Sequence, residues 1–302
     1  MNHYLRLIRL PNLIMLGLMQ GLFWFALVKP ILVMEEKSTS ISTLNVLLVI
    51  LSCILIAGGG YIINDVEDQQ IDQINKPSKK VVGNIIPKDA AYNLYMTFTF
   101  IGVLIAFYLS FIQSIRYFGI ISLVTAGLLY FYATAYKCIP ALGNFIISFL
   151  TALSIYVLVV IDPTIYSDAA ILTLAFGYMV FSFLLTMVRE LIKDLEDQAG
   201  DAACGCSTMV VKFGPKPVKV IAFFTSMITL LLLIFIQLIS KQWENMLPFL
   251  YVIIFIEIPL VYLMMKIWSA VDTKEYGKAS LITKLIMFTG VISMLIFYFS
   301  FQ

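Results

Sequence analysis

The stretch GGGYIINDVEDQQIDQINKP, residues 58 to 77, passes without a break from an apolar run into a row of acids. Its first part ends a segment that is long and apolar enough to be a membrane helix. Its second part carries an amide and four carboxylates, namely Asn64, Asp65, Glu67, Asp68 and Asp72. Acids at the edge of an apolar segment need an explanation, and a second stretch of the chain has the same character.

Composition places the chain among integral membrane proteins. Hydrophobic residues make up 61% of its 302 residues and charged residues 13%, and its mean hydropathy is +0.96. A soluble domain is about 45–50% apolar and about 25% charged, so a soluble protein is excluded. Apolar runs of about 20 residues recur, each long enough to cross about 30 Å of hydrocarbon as a helix. We count nine, at 12–33, 45–63, 94–112, 117–135, 141–161, 169–188, 217–240, 247–266 and 284–301.

Helices are the expected form because continuous apolar runs do not suit a membrane β-barrel. The predicted fold class is an all-α integral membrane protein, a bundle of nine transmembrane helices in a single domain over residues 1–302. With nine spans, one side of the membrane holds nearly all of the 20 Lys and Arg residues. The exceptions are Lys29, Lys37, Arg116 and Lys241. Positive charge favours the cytoplasmic side, so we expect both acidic stretches at the cytoplasmic lip.

Histidine and cysteine usage narrows the chemistry. The only histidine is His3, which argues against a Ser-His-Asp hydrolase, a His-ligated haem and a His-rich zinc site. The four cysteines have neither a zinc-site spacing nor a paired CxxC spacing. We interpret the CGC at 204–206 as ordinary loop chemistry. The cysteines are Cys53, Cys138, Cys204 and Cys206.

The acids of the first stretch align on one helical face. Asn64, Asp68 and Asp72 recur at i, i+4 and i+8, and Asp65 lies three residues before Asp68. One face therefore presents an amide and three carboxylates. The second stretch, RELIKDLEDQAGD at 189–201, repeats the pattern with acids spaced by four, three and four residues. Those acids are Glu190, Asp194, Asp197 and Asp201.

Two interpretations of these faces are open. The first is that they are helix-end charges exposed to water, as we expect for Glu67 and Glu196, which fall off the faces. Against it, both clusters lie at helix C-termini, where the macrodipole disfavours anions. Like charges at i, i+4 also repel by about a few tenths of a kcal/mol per pair. The second interpretation, which we favour, is that a hard divalent cation such as Mg²⁺ neutralises them through oxygen ligands.

Basic residues beside both clusters suit a phosphate-bearing substrate. Mg²⁺ commonly keeps substrate phosphates in its shell, and a diphosphate at the membrane lip suggests a lipid whose tail lies in the bundle. Arg189 offers a bidentate contact, and lysines offer point charges. The candidate phosphate ligands are Lys79, Lys80, Arg189 and Lys193. The positive-inside bias alone is the alternative explanation for each lysine.

The two stretches resemble the Asp-rich motifs of the UbiA superfamily of intramembrane prenyltransferases. NDVEDQQIDQINKP at 64–77 looks like its NDxxDxxxD motif followed by NxP, and KDLEDQAGD at 193–201 is similar to its DxxDxxGD motif. RLIRLPNLIM at 6–15 resembles the family's Arg-x-Pro-Asn start of the first helix. YFYATAYKCIPALGN at 130–144 resembles its Tyr/Lys segment. The second motif looks closest to the branch that includes digeranylgeranylglyceryl phosphate synthases.

The resemblance implies Mg²⁺-dependent transfer of a prenyl group from an isoprenyl diphosphate. The implied metal ligands are Asn64, Asp68, Asp72, Asp194, Asp197 and Asp201. The implied catalytic residues are Asp68, Asp72, Asp194, Asp197, Lys137 and Tyr132. The implied substrate contacts, besides the basic residues above, are Asn12, Asn64, Asp65, Asn144 and Asp201. The resemblance also implies a bacterial or archaeal cell membrane.

The acceptor stays open at this point. We favour a glycerol-phosphate ether lipid, geranylgeranylglyceryl phosphate, and the alternative is an aromatic acid of quinone biosynthesis. Neither needs a covalent enzyme intermediate, in accord with the lack of a Ser/His or Cys/His pair. Membrane lipid is an expected partner and nucleic acid is not. The motif residues do not fix the prenyl chain length or the oligomeric state.

A secondary transporter is the alternative from another functional class. Its binding residues would lie near the midplane, whereas these acids lie at the lip. Glu257, just before Pro259 in the eighth predicted span, is a separate question. Acids inside the membrane are functional candidates by default, and a hydrogen bond to a neighbouring helix is the alternative.

Overall fold

The computed structural model describes residues 3–77, 80–112, 115, 117–241 and 244–300. Within those residues the only β-pairing is one isolated bridge between Val82 and Ile86. The predicted all-α fold class is confirmed. The α-helices are α1 His3–Leu7, α2 Leu10–Leu22, α3 Lys29–Met34, α4 Thr43–Glu67, α5 Gln69–Asn75, α6 Lys88–Ile112, α7 Phe118–Thr134, α8 Leu142–Val160, α9 Pro163–Tyr166, α10 Ala169–Ala203, α11 Met209–Phe213, α12 Pro215–Ile239, α13 Met246–Val252, α14 Ile258–Ser269 and α15 Thr273–Ser300.

Eight helical segments of the described chain are long and apolar enough to cross a membrane. They are Leu10–Met34, Thr43–Glu67, Lys88–Phe111, Leu142–Val160, Ala169–Ala203, Pro215–Ile239, Met246–Ser269 and Thr273–Phe299. The predicted span at 117–135 is α7, which has 17 residues and is therefore about 25 Å long. The hydrocarbon layer is about 30 Å thick, so α7 is shorter than the layer and the count of nine spans stays a prediction. The other eight segments confirm the membrane bundle.

Two of the spans contain a π-helical turn, at Phe23–Val28 and at Ile253–Glu257. Glu257 ends the second of these turns, and its carboxylate accepts a hydrogen bond of 3.0 Å from Gln237 Nε2 on α12. Glu257 lines neither of the two cavities described below. The hydrogen bond to a neighbouring helix is thus the interpretation that the structure supports for this acid.

Helices α4 and α6 pack closely through small residues. A Cβ added at Gly59 of α4 would lie 2.4 Å from Thr99 Oγ1, and one added at Gly102 of α6 would lie 3.1 Å from the Ser52 carbonyl oxygen. Ser52 Oγ donates a 2.7 Å hydrogen bond to the Gly102 carbonyl across this contact. Small residues allow membrane helices to approach in this way. The contact fixes the position of α4, whose C-terminal end carries the first acidic stretch.

Helix α10 is much longer than the span predicted for it. It has 35 residues, about 52 Å, and runs from Ala169 through the whole second acidic stretch. Hydropathy falls after residue 188, but the helix continues, packed along α8, α12 and α15. The second acidic stretch is therefore carried on a rigid helix that projects from the apolar part of the bundle.

The opposite end of the bundle is closed by two buried aspartates. Asp162 accepts hydrogen bonds from the Ser40 N–H at 2.8 Å and from the Thr164 N–H at 2.8 Å, which joins the α3–α4 connection to the start of α9. Asp168 caps α10 and pairs with Lys37 at 2.7 Å. Burial alone would raise the pKa of Asp168, but the hydrogen bonds from Lys37 and from the capped helix lower it to about 2. These two carboxylates therefore connect the helices at the end of the bundle that lies opposite the acidic stretches.

Candidate active site

Helices α4, α5 and α10 place the two acidic stretches around one polar cavity of about 540 Å³. The first stretch contributes Asn64, Asp65, Asp68 and Asp72. The second contributes Glu190, Asp194, Glu196, Asp197 and Asp201. The cations that border the cavity are Arg6, Arg9, Lys76, Lys137, Arg189, Lys193 and Lys284. The two predicted acidic faces therefore meet at the same site.

The first cluster lies at a break in the helix. Asp68 leaves helical geometry, with φ −82° and ψ 9°, and separates α4 from α5. Backbone hydrogen bonds of 2.8 Å from Asp68 to Asn64 and from Asp72 to Asp68 keep the four-residue spacing. The predicted face therefore persists through the break. Asn64 Nδ2 donates to Asp68 Oδ2 at 2.6 Å, and Lys137 Nζ forms an ion pair with the other oxygen of Asp68.

The second cluster is held by side chains from two other elements. Asn144, at the start of α8, donates from Nδ2 to Asp194 Oδ2 at 2.9 Å. Lys76, just after α5, pairs with Asp197 Oδ1 at 2.7 Å and lies 4.0 Å from Glu196. Glu196 thus lines the cavity although it lies off the predicted face, and its side chain is partly exposed. Glu67, by contrast, is exposed as expected.

One asparagine connects the two motifs directly. Asn75, the last residue of α5, donates from Nδ2 to the Asp197 carbonyl at 2.9 Å and accepts from the Gly200 N–H at 2.8 Å. A Cβ at Gly200 would lie 2.5 Å from the Asn75 amide, so only glycine allows this approach. The NxP and GD parts of the two motifs therefore form a single contact that sets the distance between the clusters.

The start of α2 is fixed against the end of α4. Arg9 caps α2 with φ 51°, and its guanidinium donates to Asp65 Oδ1 at 2.8 Å while lying 5.0 Å from the centre of the Tyr61 ring. Asn12 Nδ2 donates to the Tyr61 hydroxyl at 3.4 Å. A cation between a carboxylate and an aromatic face is a stable arrangement. It brings the N-terminal residues to the rim of the polar cavity.

The acids of the cavity are not fully neutralised by these partners. Burial raises the pKa of Asp72, and the charges of Asp65 and Asp68 raise it further, to about 6. In the described residues no three Asp, Glu, His or Cys side chains form a ready-made metal-binding group. The donors nevertheless fit a hard divalent cation, since they are carboxylate and amide oxygens facing one polar cavity. In this arrangement Lys137 and Lys76 provide the positive charges that pair with Asp68 and Asp197.

An apolar cavity of about 910 Å³ begins where the polar one ends. It runs through the bundle to Lys241, Glu244 and Asn245, beyond the far end of α12. Between the two cavities lies a narrow group of residues that border both of them, which we call the throat. The throat consists of Arg9, Asn12, Asn64, Tyr132, Arg189, Glu190, Lys193 and Lys284. The site therefore joins a charged chamber to a long apolar one.

A disulfide links two walls of the polar cavity. Cys138, which follows Lys137, is bonded to Cys206, a cavity-lining residue after the second acidic stretch. The Cys206 N–H also donates to the Asp201 carbonyl at 2.8 Å. Our interpretation of the CGC segment as ordinary loop chemistry was therefore wrong for Cys206. Spacing could not reveal the bond because the two cysteines are 68 residues apart in sequence.

Residues 22–292 match the profile of the UbiA prenyltransferase family. The chain belongs to that family. It is thus a prenyltransferase, and the resemblance of its two Asp-rich stretches to the family's motifs is confirmed.

Named relatives of this UbiA family member share most of its length. A digeranylgeranylglyceryl phosphate synthase of Sulfolobus acidocaldarius is 33% identical over 238 residues, which are 78% of this chain and 81% of that protein. The synthase of the same name in Korarchaeum cryptofilum is 29% identical over 266 residues, 86% of this chain and 88% of that protein. The chain is therefore similar to these synthases along most of its length.

Solved structures of UbiA proteins share the fold. A structure described for a digeranylgeranylglyceryl phosphate synthase in membranes has a TM-score of 0.64 and 23% identity, covering 97% of this chain and 98% of that one. A UbiA homologue from Archaeoglobus fulgidus bound to GPP and Mg²⁺ has a TM-score of 0.62 and 16% identity, covering 97% and 100%. At these identities the likeness establishes the fold alone.

The structure brings most of the predicted site residues of this UbiA protein to the cavities. Those at either cavity are Asn12, Asn64, Asp65, Asp68, Asp72, Tyr132, Lys137, Arg189, Lys193, Asp194, Asp197 and Asp201. Asn144 reaches the site through its hydrogen bond to Asp194. Lys80 does not reach it, because its ammonium donates to Gln73 Oε1 at 3.3 Å and it lines neither cavity. Lys79 lies outside the described residues.

Sequence reasoning missed several residues of the site. Lys76 and Asn75 were visible as parts of the NxP motif, but their contacts with Asp197 and Gly200 depend on the packing of α5 against α10. Lys284 comes from the last helix, which carries no recognised motif. In the sequence it is only the basic residue that begins the ninth predicted span, at 284–301, so no local signal placed it at the site.

Proposed function

We propose that the chain transfers an isoprenyl group from an isoprenyl diphosphate to the hydroxyl of a glycerol-phosphate ether lipid, geranylgeranylglyceryl phosphate. The supporting observation is that two facing acidic walls open through a cation-lined throat into an apolar cavity of about 910 Å³. Such a site suits two amphiphiles that each carry phosphate and an isoprenoid tail. The similarity to digeranylgeranylglyceryl phosphate synthases along most of the chain supports this choice of acceptor.

We propose Mg²⁺ as the cofactor, in accord with the description of the Archaeoglobus fulgidus homologue as bound to Mg²⁺. The residues that would hold it are Asn64, Asp68, Asp72, Asp194, Asp197 and Asp201. When bound, Mg²⁺ would supply Lewis-acid stabilisation of the negative charge on the leaving diphosphate. Lys137 and Lys76, now paired with Asp68 and Asp197, would then be free to contact phosphate oxygens.

The other residues of the site bind, orient and exclude water. Arg189 and Lys193 would hold phosphate oxygens of the two substrates at the throat. Asn144 and Tyr132 would position the acidic wall and the reacting end of the donor. The apolar cavity would hold the isoprenyl tail and keep water from the allylic carbon. The acceptor oxygen forms a bond to that carbon as the carbon–oxygen bond to diphosphate breaks, and the released proton leaves with diphosphate. No nucleophile of the chain is required.

We propose that the acidic end of the bundle faces the cytoplasm of a bacterial or archaeal cell. The charge bias of the connections supports this orientation. Reporter fusions at the α10–α11 and α12–α13 connections would test it. A cytoplasmic reporter should be active only at the former connection, and the reverse pattern would contradict the proposal.

The function is tested by incubating the purified chain in lipid nanodiscs with Mg²⁺ and radiolabelled geranylgeranyl diphosphate. Separate reactions contain geranylgeranylglyceryl phosphate, hydroxybenzoate or dihydroxynaphthoate. We expect label in an ether-lipid product only in the first reaction, and none when EDTA is present. Transfer to an aromatic acid instead would assign the acceptor to quinone biosynthesis. Uptake of label into sealed vesicles without any product would favour a transporter.

A further inference from the structure

The throat carries more positive charge than its acid balances. Four of its residues are cations, and Glu190 is its one carboxylate. The cations are Arg9, Arg189, Lys193 and Lys284. Arg9 is paired with Asp65 at 2.8 Å and Arg189 with Glu190 at 2.5 Å. Within the described part of the chain, Lys193 and Lys284 have no carboxylate within 4.0 Å and no hydrogen-bond partner.

The lysines deeper in the polar cavity are different. Lys76 is paired with Asp197 and Lys137 with Asp68, so those ammonium groups already balance the acidic walls. At the throat, Lys284 instead faces three other cations, Arg189, Arg9 and Lys193, and their charge is offset only in part by Glu196. Cations that repel one another at the edge of an apolar cavity are stabilised by a bound anion.

A second, independent observation lies one turn deeper into the apolar cavity. Thr186 lines that cavity and its side chain is buried, yet its Oγ1 has no hydrogen-bond partner. Other buried helical hydroxyls, such as those of Ser148 and Thr283, donate to the carbonyl four residues earlier. A buried polar atom without a partner is costly. Thr186 Oγ1 itself has almost no accessible surface, so a ligand in the cavity supplies the missing partner once this side chain rotates toward it. Thr186 precedes Arg189 by three residues and Lys193 by seven, so it shares their helical face.

The position of these groups indicates which anion they suit. The polar cavity already brings the carboxylates of both motifs together, and a second phosphate would be repelled there beside a diphosphate. The throat is instead the place where the apolar cavity begins, so an anion bound there can have its tail in that cavity. An amphiphile with a single phosphate next to its reacting hydroxyl meets both conditions.

We infer that the throat is the binding subsite for the phosphate of the acceptor, with Lys284 and Lys193 as its ligands and Thr186 as a hydrogen-bond donor to the bound headgroup. This inference rests on the proposed function, since it takes the acceptor to be a phosphate-bearing lipid. It assigns to α15, which carries no Asp-rich motif, the residue that distinguishes this acceptor from one without a phosphate.

The test is equilibrium binding of radiolabelled geranylgeranylglyceryl phosphate to the full purified chain, without donor and without Mg²⁺. The variants are Lys284→Gln, Lys284→Arg and, as a matched control on the same helix, Lys278→Gln, since Lys278 is exposed and lines neither cavity. Lys284→Gln should weaken binding by about tenfold or more, as for the loss of one charge-assisted hydrogen bond. Lys284→Arg and Lys278→Gln should bind as the unchanged chain does.

Two further ligands complete the test. Geranylgeranylglycerol, which has no phosphate, should bind the unchanged chain and the Lys284→Gln variant alike, and the affinity for geranylgeranyl diphosphate with Mg²⁺ should be the same in both. Undiminished binding of the phosphate lipid by Lys284→Gln, or an equal loss for the diphosphate, would overturn the inference. If the unchanged chain binds the phosphate lipid but transfers no prenyl group to it, the proposed function fails while the subsite stands.

Discussion

At the scale of single residues, the site depends on acids that are placed by their neighbours. Asp68 lies at the break between α4 and α5, where Asn64 and Lys137 hold its two oxygens. Glu67 is its neighbour in sequence, but it points to solvent. Two adjacent residues therefore differ in location, since Asp68 lines the cavity and Glu67 lies on the surface. Substitutions at the two positions should differ in their effect on activity.

Asp68→Asn should reduce kcat for prenyl transfer by about a hundredfold or more, since it removes a negative charge from the acidic wall that we propose holds Mg²⁺ for the leaving diphosphate. The amide keeps the size of the side chain, so the helix break is preserved. Initial rates with saturating donor and acceptor measure the effect. Glu67→Gln is the matched control and should stay within about twofold of the unchanged chain. An active Asp68→Asn variant, or an equally deep loss in the control, would refute the assignment of the face.

At the scale of residues, the sequence predicted the site well where the pattern lies within a single helix. The spacing of Asn64, Asp68 and Asp72 is a property of one helix, and it persists through the break because the backbone hydrogen bonds keep their register. The pairing of Lys76 with Asp197 was not predictable. It depends on how α5 packs against α10, and neither motif contains information about that packing. Lys80, chosen for its nearness to the first motif in sequence, points away from the site for the same reason.

At the scale of elements, α5 and α10 are held together by the contact of Asn75 with Gly200. Gly200→Ala places a methyl group 2.5 Å from the Asn75 amide and should lower the free energy of unfolding by about 1–3 kcal/mol. Gly127→Ala is the control, because Gly127 also lies inside a helix but its Cβ would meet nothing within 4 Å. It should be neutral or stabilising by up to about 1 kcal/mol. Thermal unfolding in detergent compares the two.

A double-mutant cycle shows whether this contact is the cause. In an Asn75→Ala background the clash is absent, so Gly200→Ala should be less harmful there than in the unchanged chain, with an interaction energy of about 0.5–3 kcal/mol. Equal effects in both backgrounds would mean that Gly200 acts through something other than Asn75.

The disulfide joins the α7–α8 connection to the segment after α10. Replacing Cys138 and Cys206 together with serine should lower the unfolding temperature, because a disulfide typically contributes about 2–4 kcal/mol. Cys204→Ser is the control, since Cys204 is free and exposed. Mass spectrometry of unreduced peptides would identify the linked pair. A Cys204–Cys138 linkage, or an unfolding temperature that the double variant leaves unchanged, would contradict the assignment.

The sequence predicted where the long helices lie along the chain, but it did not predict where all of them end. Hydropathy ended the sixth predicted span at residue 188, whereas α10 continues to Ala203. The loss of apolar character there marks the point at which the helix begins to line the polar cavity, and the helix itself continues. The disulfide was beyond sequence reasoning because connectivity among four cysteines is not encoded in their spacing.

At the scale of the whole molecule, the apolar cavity sets how much prenyl chain the bundle can hold. Gly290 lines this cavity, and a Cβ added there meets nothing within 4 Å. Gly290→Phe should direct its ring into this cavity and shorten the space available to the tail. The ratio of kcat/KM for geranylgeranyl over geranyl diphosphate should fall by about tenfold or more, as for the loss of methylene contacts in an apolar pocket.

Gly127→Phe is the matched control for the cavity. Gly127 is equally open but lines neither cavity, so its ratio for the two donors should not change. If Gly290→Phe leaves donor preference unaltered, the tail does not occupy this part of the bundle.

The apolar cavity reaches from the throat to residues beyond the end of α12, so it extends across the thickness of the bundle. A tail held along it would lie parallel to the acyl chains of the surrounding lipid. The product would then have the orientation of a membrane lipid before it departs. It could leave by sliding sideways between helices, with its headgroup staying at one surface and no need to turn over.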